Sequence, residues 1–174
     1  MEPTSAQLEA EFLSAYDTYS DAIFRYSLFR LSDRERALDL TQEVFMKVWK
    51  YLAGGGTILN MQAFLYTTAR NLVVDEYRHR KPQESLDTLT EETGFEPSFD
   101  DTSRLIDSLD GREAVALLGQ IPETYGDVLF MRFVQELSLK EMSEVLGETE
   151  NTIAVRVHRG LSKLKKIFNH ESRE

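Results

Sequence analysis

From Gln7 to Leu31 the apolar residues Leu8, Phe12, Leu13, Tyr16, Tyr19, Ile23, Phe24, Leu28 and Phe29 recur at gaps of three and four. No proline or glycine interrupts them, so the spacing predicts one long core helix, to which no chemistry is assigned. Ser32-Asp33-Arg34-Glu35 has the spacing of a capping box and predicts the start of a second helix. In that helix Leu40, Val44, Val48 and Leu52 fall every fourth residue and form the inner face. Asp39, Gln42, Glu43, Met46 and Lys50 point outward. A loop with Gly54, Gly55 and Gly56 leads to a third helix capped by Asn60 and ended by Pro82. Its buried arc is read as Leu65, Ala69 and Leu72. Phe64, Thr67, Asn71, Val74 and Arg78 form an outward stripe that closes on Arg80 and Lys81.

The texture changes at Pro82. Residues 82–105 are acidic, rich in serine and threonine, and lack helical periodicity, which predicts a linker. Its apolar residues Leu86, Leu89, Phe95 and Phe99 exceed what a pure spacer needs. Beyond it, Leu109, Val115, Leu117, Leu118 and Ile121 predict a short helix, and Pro122 opens the next. Ser138-Leu139-Lys140-Glu141 is a second capping box, and its helix ends at Gly147. Thr149 caps a last helix that runs to about His170. A short helix, a glycine turn and a longer helix make a helix-turn-helix. Ile153, Val157, Leu161, Leu164 and Phe168 share the inner arc of the last helix. Asn151, Thr152, Val155, His158, Arg159 and Lys166 lie opposite, flanked by Arg156 and Lys163. The expected fold is all-α, with two small helical domains, 1–81 and 106–174, joined by the acidic linker 82–105.

Net charge changes the picture only through its distribution. The whole chain carries −10, which by itself argues against a nucleic-acid binder. Yet residues 1–81 hold 10 basic and 11 acidic groups, 82–113 hold 2 and 10, 114–150 hold 2 and 7, and 151–174 hold 6 and 2. The acid sits in the middle, and both outward-facing helices finish basic. Such a chain binds DNA weakly alone and needs a partner to bring it there.

The outward faces differ in chemistry. Phe64, Thr67, Asn71, Arg78, Arg80 and Lys81 combine an aromatic, a hydroxyl, an amide and cations, the set that stacks bases, reads base edges and holds phosphates of a single strand. An ordinary amphipathic helix, with Phe64 packed under a loop, is the plain alternative. Asp39 and Glu43 are like charges four apart, relieved when something basic covers them, and exposed Met46 beside them suits an adaptable protein contact. Catalysis finds no support. The three histidines, His79, His158 and His170, lack spaced partners for a triad or a metal site, and no phosphate loop follows Gly54–Gly56. With no cysteine, no signal peptide and no membrane-length apolar run, the expectations are a cytoplasmic location, no membrane insertion, no metal and no cofactor.

Two blocks of sequence resemble a known family. Asp39-Leu40-Thr41-Gln42-Glu43-Val44-Phe45, Val48-Trp49, Phe64-Leu65-Tyr66, Ala69-Arg70-Asn71-Leu72, Asp75 and Arg78 resemble region 2 of extracytoplasmic-function sigma factors, small alternative subunits of bacterial RNA polymerase. Leu118-Gly119-Gln120-Ile121-Pro122-Glu123, then Glu141–Gly147, Asn151-Thr152-Ile153, Arg156 and Arg159 resemble region 4. The resemblance implies an alternative sigma factor that directs promoter-specific initiation, not an enzyme. Its implied partners are core RNA polymerase (β′ clamp coiled coil and β flap) and promoter DNA, with room for an anti-sigma factor. It assigns Asp39, Gln42, Glu43 and Met46 to polymerase docking. Phe64, Thr67, Asn71, Arg78, Arg80 and Lys81 fall to the −10 element. Asn151, Thr152, Val155, Arg156, His158, Arg159 and Lys163 fall to the −35 element. The linker is expected to thread into polymerase channels. Three departures stand out: Ala154 and Val155 replace residues often basic and small-polar, Asn151 stands where glycine is common, and the Gly54–Gly56 loop lacks an aromatic that some members carry. The rivals are a regulator using only the helix-turn-helix, with residues 1–81 for sensing or dimerisation, and an adaptor that binds only proteins.

Overall fold

The computed structural model describes residues 3–80 and 111–171. Among them are only helices and their connections: α1 Ser5–Leu31, α2 Arg34–Ala53, α3 Met61–Arg80, α4 Gly111–Leu118, α5 Glu123–Leu129, α6 Leu139–Leu146 and α7 Glu150–Glu171. A π-helical turn, Phe130–Val134, continues α5. Contacts divide the chain into two units, Met1–Ser85 and Leu86–Glu174. Residues 82–105 and Lys81, Ile106 and Leu109 lie outside the described residues.

In the first unit α1 packs on both α2 and α3, which also pack on each other. The four-spaced stripe of α2 is buried as expected, with Val44 and Val48 fully sealed. On α3 the buried residues are Leu65, Tyr66, Ala69 and Val73, so the inner arc lies one residue round from the expected one and Leu72 is half-buried. Tyr66 supplies the reason: its ring meets that of Tyr26 edge-on at 5.9 Å, both fully buried, and this pair turns the helix. The far end of α3 is tied down by polar contacts. The Tyr77 hydroxyl donates to the Arg30 carbonyl at the end of α1, and Glu76 pairs with Arg36 of α2.

The capping box expected at Ser32 is corrected. Ser32 closes α1 instead, in the left-handed region at φ 53°, its amide bonded to the Leu28 carbonyl. Asp33 is the true N-cap of α2, its carboxylate accepting from the Arg36 amide at 3.2 Å. With no residue to spare between the helices, one position cannot serve both ends. Asn60 does cap α3, accepting from Ala63 at 3.0 Å. A capping box also opens α1, where Thr4 and Gln7 satisfy each other's amides.

In the second unit α7 packs on α5 and α6. The Ser138–Glu141 box is formed in both directions, at 2.7 and 3.1 Å, and Gly147 closes α6 at φ 67°. Thr149 accepts from the Thr152 amide at the start of α7. Ile153, Val157, Leu161 and Leu164 are buried, with Gly160 among them, while Phe168 is half-buried. Gly160 is where α7 crosses α5. A Cβ there would stand 3.1 Å from Leu129 Cδ1 and 3.3 Å from Tyr125 Cβ. Both neighbours are buried and have little room to retreat. Gly160→Val should therefore destabilise the protein by about 1–3 kcal/mol through overpacking, read as a lower midpoint in urea. An unchanged midpoint would mean that α5 and α7 separate at no cost.

Candidate functional site

The rotation of α2 leaves Asp39, Gln42, Glu43, Met46 and Lys50 exposed together, Met46 at 56%. Neither Asp39 nor Glu43 is hydrogen-bonded or ion-paired to another described residue. Both line a polar groove of about 450 Å³ between α2 and α3, shared with Arg36, Lys47, Asp75 and His79. The two like charges thus stand on an exposed face with no hydrogen bond or ion pair to another described residue.

Sequence reasoning assigned α1 no chemistry and did not anticipate an exposed apolar groove along it. The amino-terminal half of α1 overhangs α2, so Leu13 (51% exposed) and Tyr16 (46%) do not reach the core. They form an apolar groove of about 750 Å³ with Phe12, Phe45, Met46 and Trp49. Phe12 meets Phe45 and Trp49 edge-on at 6.2 and 5.3 Å, which holds the groove wall rigid. The signal was in the sequence: α1 carries more apolar residues than one helical face can bury.

On α3, Asn71, Arg78 and Arg80 are exposed, and Thr67 and Val74 are half-buried on the same side. Arg78 lies 4.0 Å from Asp75, a loose, solvated pair. Phe64 is half-buried, because the Tyr51 ring leans on it at 5.1 Å between centroids. Lys81 lies outside the described residues. Leu59, in the loop before the Asn60 cap of α3, is 98% exposed.

On α7, Asn151 and Lys163 are exposed, and Thr152, Val155, Arg156, His158 and Arg159 are half-buried along one side. Arg156 is already engaged. Its Nη2 donates to the Glu148 carboxylate at 2.6 Å, with only 15% of the side chain exposed. Glu148 sits in the turn, where its carbonyl also accepts from Ser143 Oγ at 2.6 Å. These two bonds fasten α6, the turn and α7 to one another. The Lys163 ammonium lies over the Tyr125 ring, 5.2 Å from its centroid, on a side chain that is otherwise exposed. Among the described residues there is no group of three or more His, Asp or Glu able to hold a metal, and no helix is long and apolar enough to cross a membrane.

Family comparisons follow the same division. Residues 15–83 match Sigma-70 region 2, and residues 111–164 match Sigma-70, region 4. The chain belongs to the sigma-70 family. Its relatives place it in the extracytoplasmic-function group. It is 28% identical over 165 residues to "ECF RNA polymerase sigma factor SigW" of Bacillus subtilis, covering 89% of this chain and 87% of that protein. It is 27% identical over 164 residues to "ECF RNA polymerase sigma factor BldN" of Streptomyces coelicolor, covering 91% of this chain and 60% of the relative. Among solved structures, the sigma factor RpoE of Bartonella quintana, crystallised with the anti-sigma factor NepR, shares the fold at a TM-score of 0.68 and 21% identity. That match covers 91% of this chain and 97% of that one.

In this sigma-70 member the buried end of Arg156 marks it as a fastener of the turn. A double-mutant cycle over Glu148→Ala and Arg156→Ala should give a coupling of about 1 kcal/mol in unfolding free energy, held down by the water around Glu148. Additive losses would show that the pair contributes nothing to the turn.

Proposed function

We propose that this chain is an alternative sigma factor: it binds core RNA polymerase and directs promoter-specific initiation from −35 and −10 elements. The supporting observation is the order of three unlike surfaces along one chain. An acidic-and-apolar face on α2 and a polar, basic-ended face on α3 come first, and a helix-turn-helix with a basic outer face follows. A regulator that used only the helix-turn-helix would have no use for the first two. In this reading residues 1–81 form the polymerase-docking and −10 module, 82–105 the linker and 106–174 the −35 module, working in the cytoplasm without catalysis.

Asp39, Gln42, Glu43 and Met46 dock on the β′ clamp coiled coil, and the groove of Leu13, Tyr16 and Trp49 extends that contact with apolar area. Carboxylates without internal partners lose little on meeting a basic helix, and Met46 adapts its shape to it. Thr67, Asn71, Arg78, Arg80 and Lys81 face the −10 strand, with Phe64 beside them. Asn151, Thr152, Val155, His158, Arg159 and Lys163 face the −35 major groove, where Val155 suits a thymine methyl. An anti-sigma factor would act by covering the docking face.

Two measurements test the reading. Reversing Asp39 and Glu43 to lysine should weaken binding to core polymerase by about 2–5 kcal/mol, with helicity and thermal stability unchanged because both side chains are exposed. Undiminished capture of core enzyme by the double variant would remove this face from the interface. On the second module, Arg159→Ala should cost about 1–3 kcal/mol of −35 binding and relax one base position if the side chain reads guanine. A loss shared equally by every promoter variant would reduce Arg159 to a phosphate contact.

A further inference from the structure

Residues 5–14, at the amino-terminal end of α1, form a stretch of helix that owes little to the core. A capping box starts it, and none of these residues is buried. About three turns of helix gain little from their own hydrogen bonds, so a partner covering the outer face would stabilise them. That face closes on α2 as the apolar groove of about 750 Å³, where Leu13, Tyr16, Met46 and Trp49 stay exposed together. An apolar patch with polar rims marks a protein contact. Here the rims carry opposite charges, Glu9 on α1 and Lys50 on α2. Both side chains are exposed, and neither is ion-paired to another described residue. Phe12 meets Trp49 and Tyr16 meets Phe45, so the two helices run antiparallel along the groove. By that register Glu9 stands level with Lys50, and Leu13 level with Met46.

We infer that this groove is a self-association face and that its occupant is a second copy of this chain. The rim charges select that occupant. Turned about a two-fold axis lying along the groove, the second copy sets its α1 on the first copy's α2, and its α2 on the first copy's α1. The rotation leaves helix directions unchanged, so each crossing pair is antiparallel, like the pair within one chain. Glu9 of each copy then meets Lys50 of the other, and Leu13 of each meets Met46. Every contact is made twice. A partner with a uniformly basic rim would suit Glu9 and repel Lys50, and an acidic one would do the reverse. A copy of the same groove satisfies both. The inference goes beyond the sigma-factor reading and stands without it. Under that reading Gln42 and Met46 belong to both surfaces, so a chain in the dimer cannot dock on polymerase until the copies part.

Sedimentation equilibrium of the full chain at low salt, over a series of concentrations, reads the association directly. The mass should rise with concentration towards twice that of one chain, and added salt should lower it by screening the rim pairs. Leu13→Glu should leave a monomer at concentrations where the parent is dimeric. Glu9→Lys and Lys50→Glu should each weaken dimerisation about 5–30-fold, because two pairs turn repulsive together. Mixing these two single variants is the sharpest step: each repels its own kind and complements the other, so the mixture should associate about as strongly as the parent. The double variant Glu9→Lys, Lys50→Glu should also dimerise like the parent. All three positions are exposed, so helicity by circular dichroism should be unchanged throughout. A parent that stays monomeric into the high-micromolar range overturns the inference. A dimer indifferent to Leu13→Glu overturns it too, by placing the contact elsewhere. So does a mixture of the single variants that associates no better than either alone, because the two-fold pairing requires the rescue. None of these outcomes bears on promoter-directed initiation, which is read separately with core enzyme.

Discussion

The rotation of each helix about its own axis is the constraint on which the surfaces depend. At about 100° per residue, seating Leu40, Val44, Val48 and Leu52 against α1 and α3 leaves no freedom in which residues of α2 face water. Asp39, Glu43 and Met46 are exposed as a consequence of that seating, and no separate device is needed to present them. The same logic holds for α7, where Ile153, Val157 and Leu161 turn inward and Gly160 lets α5 approach closely. A shift of one residue in either register would turn an exposed polar face into core and leave it with buried charge. Close packing therefore specifies the exposed faces as strictly as it specifies the fold.

Periodicity made the α2 and α7 faces legible before any coordinates, because both helices carry one apolar stripe and one polar side. It served less well on α3, whose composition is mixed all round. There the buried set is moved one residue by Tyr66, and only its cross-helix partner Tyr26 explains the choice. Capping chemistry was legible where a single helix claimed the residue, as at Ser138 and Asn60. It misled at Ser32, where two helix ends compete for one junction and the carboxylate of Asp33 takes the second. The site residues divide along the same line. Exposure follows from local spacing, so Asn71, Met46 and Lys163 stand where expected. Partnership is a matter of three dimensions, so the engagement of Arg156 with Glu148, and of Phe64 with Tyr51, carried no local signal.

Arg156 illustrates how a basic helix divides its cations between structure and recognition. A guanidinium has a rigid fork of donors, and one spent on the Glu148 carboxylate restrains the turn. That restraint has a consequence for DNA. A recognition helix discriminates between base pairs only if its approach to the groove is held steady, since a loose helix would re-seat itself to suit a wrong base. Ser143 and Arg156 hold the same residue from its backbone and its side chain, so the turn is fixed in position and in direction. Stiffness at the turn and readability on the outer face are thus parts of one design.

The two ends of the chain set this balance differently. On α7 the polar contacts that order the helix lie at its start, next to the residues that face outward. On α3 they lie at the far end, where Tyr77 and Glu76 tie the helix to α1 and α2. The start of α3 is capped by Asn60 and packed through the Tyr51–Phe64 aromatic pair. Double-stranded DNA is a stiff object read by a stiff helix. A single strand is pliable, and contacts with it form through stacking, which tolerates small adjustments of ring and base. In the proposed reading the polar fastenings of α7 lie beside the surface that would meet a duplex, and an aromatic pair lies beside the surface that would meet a melted strand.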